Sequence, residues 1–144
     1  MNDRDTVLME PWLLTENDLP WLIFLCKKKY GNDYDEATCE GWFRNIVLKG
    51  PLMFRPARTA NAFAISMIST LPWRPAEFEC SIVFVCADDG HMWEAFKLMR
   101  DSIAWARKRR CVRWRLTSET DVDLHQMAIR LGAKQISPRF TLEL

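Results

Sequence analysis

The residues of this 144-residue chain that could do chemistry gather around one turn. An apolar run, Cys80-Ser81-Ile82-Val83-Phe84-Val85-Cys86-Ala87, ends in Asp88-Asp89-Gly90-His91-Met92. A strand that passes through a glycine turn into a helix aims free N–H groups and a partial positive charge at the strand's end, which suits a phosphate. Here two carboxylates stand in the turn and Gly90 is its only glycine. An aspartate before a helix also serves as an N-cap, worth about 1 kcal/mol with no ligand at all. Glu77 and Glu79 lie at the start of the same strand, and His125 is of the side-chain type suited to proton transfer near neutral pH. Each has a plain alternative: solvated charges at a strand's start, and a rim histidine on a short helix. The cysteines at 26, 39, 80, 86 and 111 show no CxxC spacing, and none is paired with a histidine by sequence. They read as reduced, buried thiols, Cys86 and Cys111 included, and with two histidines no metal site is expected.

These groups are positioned by a strand–turn–helix–strand unit from Glu77 to Ser118. Met92, Phe96, Met99, Ile103 and Ala106 repeat at helical spacing, which predicts a helix over about 91–110 with one face on a sheet. Cys111 to Thr117 reads as the next strand, so the pair flanking the helix should be parallel and adjacent. Ahead of this unit, residues 6–14 read as a strand placed at an edge by Pro11. A helix follows with Pro20 in its first turn, Asn17 or Asp18 as cap, and Leu19, Leu22, Ile23, Cys26 and Tyr30 as its stripe; Gly31 ends it. Lys27-Lys28-Lys29 reads as its solvated C-terminal end. A second helix is predicted from about Asp35 to Leu48 with Cys39, Trp42, Phe43 and Ile46 inward. Leu52–Arg55 and Ala62–Ile68 form a hairpin pair about Arg58–Asn61, and Leu71–Pro75 is a proline-bounded loop. Near the end, Leu124, Met127, Ala128 and Leu131 line a short helix stopped by Gly132, and Lys134–Leu144 alternates as a last strand.

Composition sets the frame. A chain of this length reads as one domain, 1–144, and 49% apolar residues argue against disorder. The longest apolar run, Trp21–Cys26, is far shorter than the roughly 20 residues a membrane span needs. Asp3, Arg4 and Asp5 are not backed by an apolar segment, so no signal peptide is expected and the setting reads as cytoplasmic. A net charge of +1 gives no bulk attraction to nucleic acid. Arg107-Lys108-Arg109-Arg110, with Arg113 and Arg115 beyond, suits a helix C-terminus and could also form a patch for an anionic partner.

The order β-α-α-β-β-β-α-β-α-β resembles the GNAT acyltransferase superfamily over nearly the whole chain. Its most family-like pieces are Thr15-Glu16-Asn17-Asp18-Leu19-Pro20-Trp21-Leu22 and Met127-Ala128-Ile129-Arg130-Leu131-Gly132-Ala133, the latter similar to a Tyr-x-x-x-Gly-Phe ending. The resemblance implies an α+β (mixed α/β) fold: a mixed sheet of about six strands with a central parallel β-α-β crossover and flanking helices. It implies acetyl-CoA as cofactor and a small-molecule or peptide amine as acceptor. Phe84, Val85 and Cys86 would then orient the thioester, with Gly90, His91 and Met92 at the pyrophosphate. Glu79 would serve as base. His125, three residues before Ala128, would serve as acid in place of the family's tyrosine.

The chain departs from that family at the turn. The pattern Arg/Gln-x-x-Gly-x-Gly/Ala is missing, and Met92 or Trp93 falls where a small residue is needed. At an effective dielectric near 20, each aspartate about 4 Å from a phosphate charge is repelled by roughly 4 kcal/mol. The helix N-terminus returns only about 0.3–1 kcal/mol. Acetyl-CoA is therefore expected to bind weakly or not at all, with Asp88 or Asp89 capping the helix instead. The seven tryptophans cannot all fit one small core, so some should face a protein partner or a second copy of the chain. Phe84-Val85, Asp88-Asp89 with Trp93, and Gly132-Ala133 are similar to the short GNAT-like proteins of short-tailed phages, some of which serve virion assembly. Two functions stay open: an N-acetyltransferase, or a catalytically silent GNAT-fold scaffold acting through protein contacts, in a host cytoplasm or a virion.

Overall fold

One strand of fourteen residues, β4 (Arg74–Ala87), has a neighbour on each side and carries the sheet. The computed structural model describes residues 10–116, 122–134 and 142–143. β1 (Trp12–Leu13), β2 (Phe54–Arg58), β3 (Ala62–Leu71), β4 and β5 (Arg113–Leu116) lie side by side in sequence order. Every pairing is antiparallel except β4–β5, which is parallel from Glu79↔Arg113 to Ile82↔Leu116. The helices are α1 (Leu19–Tyr30), α2 (Glu36–Trp42), α3 (Met92–Lys108) and α4 (Val122–Arg130). α3 forms the crossover that the Glu77–Ser118 pattern predicts. β1 pairs only with β2, as the edge position of Pro11 requires. The last predicted strand and residues 6–9 of the first lie outside the described residues, save Lys134, Leu142 and Glu143.

Two cores sandwich the sheet. α1 and α2 pack Leu22, Leu25, Cys26, Phe43 and Val47 against Phe63, Ile65 and Cys86. On the other face α3 and α4 set Ala95, Leu98, Met99, Leu124 and Ala128 against Ala64, Ile82 and Val85. Arg58 joins the first layer to the sheet: its guanidinium donates to Asp18 at 2.7 Å and lies 3.6 Å from the Trp21 ring centroid. That fixes the start of α1, where Asp18 is the N-cap residue and Pro20 sits in the first turn.

Five sequence expectations need correction. The buried face of α3 runs through Glu94, Ala95, Leu98, Met99, Ser102 and Ala106, so Phe96 and Ile103 are only half-buried. Counting apolar residues alone rotates the stripe, because Glu94 and Ser102 point inward on hydrogen bonds. Ser102 Oγ lies 2.7 Å from Ser66 Oγ and accepts from Trp114 Nε1 at 3.0 Å. In the second helix, α2 passes into a π-turn at Phe43–Val47. The wider turn brings Val47 under Phe43 and leaves Ile46 exposed. Leu71–Pro75 is a hairpin tip with Leu71 paired to Arg74, and Leu52–Met53 is a turn before β2. Cys111 is half-buried.

Leu98→Ala should cost about 2–5 kcal/mol in urea unfolding, and Phe96→Ala distinctly less, because Phe96 only stacks on the exposed Trp93 at 5.3 Å. Equal costs would show that the face is wrongly placed. Ser102→Ala should cost about 1–3 kcal/mol by stranding the Trp114 N–H and the Ser66 hydroxyl.

Candidate active site

The crossover turn is where this sheet could meet a ligand, and its backbone is set first. Ile65 pairs with Phe84 but Ser66 pairs with Ile82, so Val83 is a bulge. Val83 and Phe84 therefore both face α1 and α2, as Cys86 does, while Ile82 and Val85 face α3. Beyond Ala87 the chain turns through Gly90 at φ +78° and enters α3 at Met92.

The cap of α3 is His91, and its side chain makes no capping bond. Neither Asp88 nor Asp89 caps the helix, contrary to expectation. Asp88 is four residues ahead of Met92, beyond reach of the first-turn amides, and its Oδ1 is already taken. Lys28 Nζ donates to Asp88 Oδ1 at 2.6 Å and lies 3.8 Å from Asp89 Oδ2. The Asp89 amide donates to Asp88 Oδ1 at 2.9 Å. The Lys28 ammonium holds the Asp88 carboxyl below the usual carboxylate range, and Asp88 raises Lys28 in turn. With Asp88 depressed, the pair persists at neutral pH and is lost only as acid titrates Asp88.

Behind the turn, Glu94 is 1% exposed and fully partnered. It accepts from the Asn61 amide and from Asn61 Nδ2, each at 3.0 Å, and His91 Nδ1 lies 2.9 Å from its Oε2. Asn61 O accepts from the Asp88 amide at 2.8 Å. The β2–β3 turn is thus stitched to both sides of the crossover turn. A recess of about 320 Å³ remains, lined by Leu25, Lys28, Lys29, Asp88, Gly90 and Met92 among others.

A second pocket, of about 340 Å³, opens between the end of α1, the start of α2 and Phe84. Tyr30, Tyr34 and Trp42 supply rings, Asp33 and Asp35 supply carboxylates, and the buried Tyr34 hydroxyl makes no hydrogen bond. Cys39 also lines it, and the neighbouring Cys26 thiol brings the Cys39 thiol down to about 6. By contrast, burial pushes Cys80 up to about 11.

The two predicted proton-transfer groups come from opposite sides of the sheet. Glu79 alternates with Cys80 and Ile82, so its side chain points away from α3. It is 8% exposed, with Arg115 Nη1 at 3.7 Å and Arg113 Nη1 at 3.9 Å, and its Oε2 has no hydrogen-bond partner. His125 is an exposed residue of α4, beside Leu124, which packs into the α3-side core. Ala128, at the family's tyrosine position, is buried. Phe84 lines the second pocket, Val85 and Cys86 are buried in opposite cores, and Gly90 and Met92 line the recess. Sequence reading missed Lys28, Asn61, Glu94, Tyr34 and Cys39. Only Glu94 left a signal, as an acid in the first turn of a helix.

The residues of the turn do not fit a pyrophosphate. A phosphate cradle needs backbone N–H groups free to donate. The amides of Asp89, His91 and Glu94 instead donate within the chain, to Asp88 Oδ1, Asp88 O and His91 O. Asp88, Asp89 and Glu94 put three carboxylates at the helix start. Repulsion is weaker than the sequence suggested, since Lys28 neutralises Asp88 and the Asp89 side chain is 95% exposed and screened.

Neither a protein-family model nor any curated protein matches the sequence. Solved structures do match it in fold. A GNAT family acetyltransferase of Staphylococcus aureus superposes with a TM-score of 0.67 at 14% identity, over 93% of this chain and 97% of its own. An aminoglycoside 6'-N-acetyltransferase of Acinetobacter haemolyticus gives 0.70 at 15% identity, over 94% and 98%. Another aminoglycoside 6'-N-acetyltransferase, solved with a CoA-containing bisubstrate analog, gives 0.72 at 11% identity, over 94% and 97%. With its five-strand mixed sheet and parallel β4–β5 crossover, the chain has the fold of the GNAT acetyltransferases.

Proposed function

We propose that this chain works by binding, on a GNAT fold whose cofactor turn is closed from within. One observation carries the reading: Asp88, Asp89 and Glu94 crowd the start of α3 with carboxylates, and the amides of Asp89, His91 and Glu94 donate to Asp88 and His91, so the turn makes a poor cradle for a pyrophosphate. The buried Ala128 removes the usual thiolate acid as well. The virion-assembly role of the short phage proteins it resembles is one form such binding takes. Calorimetry should show no saturable binding of acetyl-CoA or CoA. Thermal unfolding should not move, where a real site at 100 times its dissociation constant would add about 2.7 kcal/mol. A dissociation constant in the low micromolar range would overturn the proposal. Asp88→Asn with Asp89→Asn releases Lys28 and removes the carboxylates, and should raise any residual CoA affinity above that of the wild type.

Acetyl transfer to an amine is the second reading, and the ring-lined pocket favours it. Carboxylates of Asp33 and Asp35 beside Tyr30, Tyr34 and Trp42 suit a cationic amine. In this reading either Glu79 takes the amine proton or His125 returns one to the leaving group, but not both, since they lie on opposite sides of the sheet. One of Glu79→Gln and His125→Ala should then lower turnover by roughly 10²–10⁴-fold with the fold intact. An active protein indifferent to both changes removes them from the mechanism.

A further inference from the structure

At the end of the sheet away from the crossover turn, β4 outruns its helix. Fourteen strand residues span about 46 Å, whereas the 17 residues of α3 span about 26 Å. The last turn of α3 covers Cys80 and Trp114 through Ala106 and Trp105. One step further, Phe78 and Val112 lie side by side on the same face, joined by the Val112 amide donating to Phe78 O at 2.8 Å. They are 43% and 59% exposed. Leu52, 71% exposed, lies at the end of α3, where its carbonyl accepts from Arg109 Nη2 at 2.8 Å. Arg107 and Lys108 in the last turn of α3, and Arg110 just beyond it, lead into Val112, and none of them has an ion-pair partner among the described residues.

We infer that this end of the sheet docks an acidic protein segment carrying apolar side chains. The inference rests on the binding reading above and gives it a surface. Unpaired cations beside them call for carboxylates, and Phe78 and Val112 call for apolar side chains. Nucleic acid fits less well: Phe78 is a single ring with aliphatic Val112 beside it, short of a run of stacking platforms, and the chain's net charge is only +1. A second copy fits less well too, because a two-fold contact would set this arginine cluster against itself.

Fluorescence anisotropy with a labelled peptide of alternating glutamate and leucine tests it, beside the lysine-for-glutamate peptide and oligothymidylate. The acidic peptide should bind saturably and more weakly as salt rises, and the other two should not. Arg107→Glu with Arg110→Glu should weaken binding by about tenfold or more, and so should Phe78→Ser with Val112→Ser, both with an unchanged thermal midpoint. Oligothymidylate binding lost in the arginine variant would reassign the surface to nucleic acid. Failure of the acidic peptide to bind, or equal binding by the lysine peptide or by both variants, would end the inference. Titrating acetyl-CoA into the same variants separates the two ideas: its binding refutes the closed turn, whatever the peptide does.

Discussion

A carboxylate that cannot reach water must find its donors inside the protein, and Glu94 sets that condition at the first turn of α3. Its partners come from the β2–β3 turn and from His91, so the helix start, one hairpin end and the exit of β4 are fixed as a unit. Removing one partner would leave a buried charge without compensation, which costs far more than the net worth of a hydrogen bond. Lys28 closes the same unit from α1. A turn built to receive a ligand keeps donors in reserve, whereas this one has spent the Asp89, His91 and Glu94 amides on the fold.

Most of the architecture was legible because two periodicities carry it. The apolar run Cys80–Ala87, the helical stripe after it and the β-like Cys111–Thr117 place α3 between two parallel strands, and the structure has them so. The errors have one physical origin: hydropathy is blind to polar groups that are buried and satisfied. Ser102 and Glu94 turned the real face of α3 away from Phe96, and the π-turn at Phe43–Val47 changed a helical repeat that no residue type announces. The candidate site was less legible still. Lys28 and Asp88 are 60 positions apart, and Asn61 and Glu94 are 33 apart. Nothing in local spacing encodes such pairs, so the turn could be judged from its own residues only. Charge repulsion alone makes the turn unreceptive when judged from its own residues. In the structure, the internal bonds of the Asp89, His91 and Glu94 amides add a second cause.

The two ends of β4 are opposite in character. At Ala87 the chain is clamped by polar contacts to α1, the β2–β3 turn and α3, although Trp93 is exposed nearby. At Phe78 the helix has ended, apolar side chains face solvent, and Arg107, Lys108 and Arg110 of the adjoining helix end have no ion pair among the described residues. Helix C-termini attract lysine and arginine through the macrodipole, so the basic run needs no partner to exist. Its position beside uncovered apolar side chains is what dipole arguments leave unexplained. Glu79 tempers the other face of the same end, where Arg113 and Arg115 approach it.

The bulge at Val83 also decides which core each later side chain of this strand enters. Before it, odd-numbered side chains face α1 and α2; after it, even-numbered ones do, as Phe84 and Cys86 show. Straightening the strand with all its residues kept would drive Val85 into the first layer and Phe84 and Cys86 into the second, and both cores would be wrong from that point to the crossover turn. Losing one residue at the bulge itself would instead restore regular pairing with every later side chain on its present face, so the bulge and the residue count can change only together.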